Sequence, residues 1–124
     1  MHLGELAEKA YSNAKSKGFH DGPFNIAEKI ALIHSELSEA LEATRKDVNL
    51  DLLDATKRHI HDQISAGDFT GTFKTYKESF GFEIADALIR IGDLAGSIGL
   101  DLEWYVKVKM AYNATRPAKH GKLY

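Results

Sequence analysis

Four carboxylates at two matching spacings are the residues best placed to do chemistry: Glu36 with Glu39, and Glu83 with Asp86. Residues three apart share a helix face, so each pattern directs two carboxylates the same way. Oxygen-only ligand sets of this kind suit Mg²⁺ or Mn²⁺. The chain contains no cysteine, which excludes thiol nucleophiles, iron–sulfur clusters and Cys-ligated zinc. It also lacks any Glu-x-x-His, the pattern a di-iron helical bundle requires. His59 and His61 are two apart and fall on different faces of a helix, so they are not read as a metal site. Taken alone, Glu-x-x-Glu is a weak pattern, because Glu5/Glu8 and Glu39/Glu42 match it too.

The elements that must position these groups are helical. Apolar residues recur with helical periodicity and there is little strand-like alternation. The spacing predicts helices over about Leu3–Ser16, Ile26–Lys46 with Asn25 as N-cap, Leu52–Ser65, a start at Lys77 or Phe82 running to Ser97, and Leu102–Ala114 capped by Asp101. Gly67, Gly71 and nearby threonines predict a loop reaching Tyr76. On the second of these helices Ile26, Ile30, Ile33, Leu37, Leu41 and Thr44 fall in one sector, read as the core face. Glu36 borders that sector beside Leu32, Ala40 and Ala43. On the helix carrying Glu83, one apolar face holds Ile84, Leu88, Ile91, Ala95 and Ile98. The opposite face holds Ala85, Ile89, Gly92 and Gly96, small or apolar residues that permit close backbone approach. That helix therefore reads as buried nearly all round, with Glu83, Asp86, Arg90, Asp93 and Ser97 as its polar stripe. Carboxylates there must be paired, protonated or metal-bound. An ion pair between Asp86 and Arg90 is the purely structural alternative. Two acidic stripes on two core helices weaken that alternative, since acid facing acid repels unless a cation lies between. The expected fold is all-α, a four- to five-helix bundle forming a single domain over residues 1–124.

The chain of 124 residues, 44% hydrophobic and 27% charged, is long enough for an independent core and is neither wholly disordered nor a disulfide scaffold. No apolar run approaches a membrane span of about 18 residues, and the first residues do not form a basic segment followed by an apolar one. A soluble cytoplasmic protein is expected, without membrane partners. The net charge of −2 is unevenly spread. Residues 104–124 carry five Lys/Arg and no acid, so residues 1–103 hold 11 bases against 18 acids, or −7. Such a basic tail pairs with its own acidic body, binds a polyanion, or closes over phosphates opposite a metal.

Three blocks of this sequence resemble the MazG-type all-α nucleoside triphosphate pyrophosphohydrolases. They are Ala31 to Glu42 (ALIHSELSEALE), Glu83 to Ile91 (EIADALIRI), and Lys109 to Lys122 (KMAYNATRPAKHGK), roughly a third of the chain. The resemblance implies Mg²⁺, or Mn²⁺, held by Glu36, Glu39, Glu83 and Asp86. It implies cleavage of a (deoxy)nucleoside triphosphate between the α- and β-phosphates, giving monophosphate and pyrophosphate, with Glu36 or Glu39 as base toward water. By the same resemblance Lys109, Asn113, Arg116, Lys119 and Lys122 handle phosphates or the nucleotide's rim, and the chain forms a homodimer or homotetramer. His20 and Phe24, in the Gly-Pro loop, are candidates for stacking on the base. The 43 residues between Glu39 and Glu83 exceed what many relatives carry, making residues 47–82 an insertion. Phe80-Gly81-Phe82 stands where some relatives have acids or amides, which bears on base and sugar preference. The competing reading is a non-enzymatic helical adaptor binding nucleic acid or protein through the basic C-terminus. It predicts salt-dependent binding without Mg²⁺ and leaves the acidic pairs unexplained. Nucleic acid is thus not the expected partner.

Overall fold

A computed structural model describes residues 1–117. Among them are six α-helices and no strand: α1 (Leu3–Ser16), α2 (Ile26–Ala43), α3 (Asp54–Ser65), α4 (Thr72–Tyr76), α5 (Phe80–Ile98) and α6 (Leu102–Thr115). Local signals set most of the helix ends. The side chain of Asn25 accepts a hydrogen bond from the Glu28 amide at 3.1 Å, and that of Asp101 accepts one from the Trp104 amide at 3.2 Å. Each satisfies an amide that the first helical turn leaves without a partner. Gly18 and Gly99, which follow α1 and α5, take positive φ of 84° and 67°, a conformation other residues reach only with strain. The expected loop before Tyr76 contains the short helix α4. Its Thr72 amide donates to the Gln63 side chain at 2.9 Å, so the element depends on a residue of α3.

The chain divides into two compact units. One comprises Met1–Phe24 and the chain from Ile91 onward, and the other is Asn25–Arg90. In the first, α1 packs on α6 and also meets the C-terminal half of α5. A Cβ placed on Gly96 would lie 2.6 Å from both the Ala7 carbonyl oxygen and Tyr11 Cβ, and one on Gly92 would lie 3.1 Å from Leu6 Cγ. The small residues do admit a close helix, as expected. In the second unit α3 packs on α4, and the Phe80 amide at the start of α5 donates to Asp47 Oδ2 at 2.9 Å.

The burial of α2 and α5 corrects the expected core. What α2 buries is Glu36, Ala40 and Ala43, whereas Ile26, Ile30, Leu37 and Leu41 remain 44–60% exposed. On α5 the buried residues include Glu83, Ala87 and Ala95, while Ile84, Leu88, Ile89 and Ile98 are 40–48% exposed. Helix α5 is therefore not buried all round. The apolar sectors of the helical wheel are thus not the core faces, since among the described residues much of their area stays open.

Candidate metal centre

Glu36 and Glu39 project from α2 and Glu83 from α5, and one oxygen from each lies within 4.8 Å of the others. Three of the four anticipated carboxylates thus converge. Glu83 is 4% exposed and Glu36 9%, whereas Glu39 is open to solvent. Two inner acids and one outer acid make a site with a closed end and an accessible one. Asp86 stands outside this close group but lines the same open pocket, a concavity of about 350 Å³.

Electrostatics sharpen the picture. The Glu83 carboxyl is pushed up to about 7, first by burial and then by Glu39, with Asp86 and Glu36 adding further repulsion. Asp86 is raised as well, by burial and by Glu36, with Arg90 acting in the opposite direction. Arg90 Nε donates to Glu36 Oε1 at 2.8 Å, so its direct partner is across on α2 rather than Asp86 one turn away. One guanidinium does not neutralise four carboxylates. Glu83 Oε2 is buried and, among the described residues, receives no hydrogen bond. A buried carboxylate oxygen with no donor is costly, and either a shared proton or a bound cation removes the cost. The donor set is all oxygen, partly buried and open on one side, which fits Mg²⁺ or Mn²⁺.

The remaining expected residues sit as follows. His20 Nε2 lies 2.7 Å from Asp93 Oδ1, with its ring edge-on to Tyr11 at 5.1 Å, so His20 is engaged inside its own unit. Phe24 is 51% exposed. Lys109 and Arg116 both approach the ring of Tyr112, at 5.1 and 5.4 Å from its centroid. Asn113 is half-buried, and its carbonyl accepts from the Arg116 amide. Lys119 and Lys122 lie outside the described residues. The acids also have neighbours that the sequence reading did not single out as site residues: Phe73, Lys77 and Phe82 line the pocket beside them. A sequence signal was present in the aromatic run Phe69, Phe73, Phe80, Phe82 leading into Glu83. No family model, curated protein or solved structure matches this chain.

Proposed function

We propose that this chain is a divalent-metal-dependent nucleoside triphosphate pyrophosphohydrolase of the MazG type, working as a homodimer or homotetramer of helical subunits. The observation that carries the reading is the convergence of Glu36, Glu39 and Glu83 around a buried carboxylate oxygen that has no donor among the described residues. Glu36, Glu39 and Glu83 would hold Mg²⁺ or Mn²⁺, with Asp86 completing the set from the pocket wall. When bound, such an ion supplies charge neutralisation on phosphate oxygens and a more acidic water. The chain's own groups do the rest. Glu39, the solvent-facing member, would accept a proton from an attacking water, while Arg90 donates to the inner Glu36. Lys109, Asn113, Arg116, Lys119 and Lys122 form a basic segment suited to phosphate oxygens.

The test is pyrophosphate release from a panel of canonical and modified (deoxy)nucleoside triphosphates, with Mg²⁺ and then with excess chelator. Metal-dependent pyrophosphate from one or more of them is the expected result, and it should vanish in Glu36→Gln and Asp86→Asn proteins that keep their helical circular dichroism. Orthophosphate in place of pyrophosphate would move the scissile bond away from the α–β position. Silence across the panel from folded protein would favour the adaptor built on the basic C-terminus.

A further inference from the structure

The pocket that holds the carboxylates is larger than an ion needs. At about 350 Å³ it falls in the range of organic-ligand sites, whereas a water's share of liquid volume is only about 30 Å³. Its walls are chemically divided. Glu36, Glu39, Glu83 and Asp86 form one part, and Phe73, Lys77 and Phe82 contribute another, with Glu78 beside Lys77 as a fifth acid. Phe73 and Phe82 are half-buried and meet edge to face, with centroids 5.3 Å apart and planes at 88°. Phe69 backs Phe73 in the same way, at 6.5 Å and 85°. A metal site alone has no use for aromatic lining, since rings offer a cation's oxygen shell nothing. In an edge-to-face pair the ring that presents its edge keeps its own faces free of that partner, and a free face is a stacking surface. Lys77, exposed at the same pocket, makes no ion pair among the described residues. An uncommitted ammonium beside a carboxylate cluster is suited to an anion that reaches the pocket along with a cation.

We propose that the segment between the two acidic motifs supplies the nucleotide-recognition wall of the site: Phe73 stacks on the nucleobase, Phe82 braces it at right angles, and Lys77 contacts a phosphate. This rests on the pyrophosphohydrolase reading and adds a role for the insertion. It moves base recognition from His20 and Phe24, of which His20 is already engaged by Asp93, to the wall that stands beside the carboxylates.

Three variants test it: Phe73→Leu, which keeps apolar bulk and removes the ring face; Phe73→Trp, which restores a ring; and Lys77→Gln, a surface change that leaves packing alone. Two readouts are needed, KM for the triphosphate cleaved by the wild type and calorimetric affinity for the corresponding nucleoside monophosphate in Mg²⁺. Phe73→Leu is expected to raise KM and weaken monophosphate binding about tenfold, as loss of one base–aromatic stack does, with Phe73→Trp recovering most of it. Lys77→Gln should weaken monophosphate binding and flatten its salt dependence, while leaving affinity for the uncharged nucleoside unchanged. If the wild type turns over triphosphate and all three variants bind and cleave like it, the inference is wrong and the pyrophosphohydrolase reading stands. If the wild type cleaves nothing, that reading fails. The aromatic wall is then judged on monophosphate binding alone, which supports it if sensitive to Phe73→Leu and overturns it if absent or insensitive.

Discussion

A carboxyl held near neutrality inside a group of carboxylates can shed its excess charge through a proton or through a cation. Glu83 is that carboxyl, raised from 4.5 to about 7 by burial and by Glu39. Because its folded value lies above its unfolded one, the native state holds the extra proton between the two. The stability it contributes is therefore full below about pH 4.5 and lost as pH rises through about 7. Metal-free protein should consequently melt at a lower temperature at about pH 8 than at about pH 5. Mg²⁺ should restore the melting temperature at the higher pH, and Glu83→Gln should flatten the slope and abolish the rescue. A melting temperature that is level across this window, with or without Mg²⁺, would remove Glu83 from the metal centre. The same competition between proton and cation predicts that Mg²⁺ binding at about pH 6.5 releases part of a proton, roughly three-quarters, readable as a dependence of the calorimetric heat on buffer ionisation.

At the scale of elements, close approach and capping carry different amounts of information. Gly92 and Gly96 both face α1, yet an added methyl meets different surroundings. At Gly96 it would press on the Ala7 backbone oxygen and on Tyr11 Cβ, each at 2.6 Å, and backbone cannot yield cheaply. At Gly92 the nearest atom is Leu6 Cγ at 3.1 Å, part of a side chain that can move. Gly96→Ala should destabilise by about 1–3 kcal/mol despite the helix propensity gained, and Gly92→Ala should lie within about 1 kcal/mol of the wild type. Urea unfolding of the two variants decides it, and the reverse order would refute the packing described for α1 against α5. The close approach itself was readable from the small residues, as were the caps at Asn25 and Asp101 and the glycine stops, because each depends on a few neighbouring residues. Helix α4 was not readable. It has five residues and is held by Gln63 and by the rings of Phe69, Phe73 and Phe82, contacts that periodicity does not encode. The grouping of Glu36, Glu39 and Glu83 was anticipated as part of a four-carboxylate set, from the acidic stripes of two helices and from the resemblance, and Asp86 of that set stands outside the close group. The choice of Glu36 by Arg90 was not anticipated, since a wheel drawn for one helix shows Arg90 only its neighbour at Asp86.

For the whole molecule, the core observed among the described residues is small. Its buried hydrophobic members are six alanines and Ile60, and no large side chain there falls below 2% exposure. Meanwhile Ile26, Ile30, Leu37 and Leu41 on α2, and Ile84, Leu88 and Ile98 on α5, stay 40–60% open to water. Being about half exposed, each such side chain gains about half of the 1.5–3 kcal/mol of full burial, so covering all seven is worth about 5–10 kcal/mol, comparable with a small domain's typical net stability. The proposed homo-oligomer would provide that cover and would make stability a matter of mass action. The melting temperature should therefore rise with protein concentration, and sedimentation equilibrium should give a multiple of the 13.8 kDa chain mass. Leu41→Lys is the discriminating variant. At a site 60% exposed in the single chain, the change would cost within about 0.5 kcal/mol if the chain worked alone. In an assembly that buries Leu41 it would bury a lysine as well, shifting the sedimentation profile toward monomer and lowering the melting temperature at equal concentration. A wild type that sediments as a single chain, melts cooperatively at a temperature independent of concentration, and tolerates Leu41→Lys without loss would show that these faces belong to water after all.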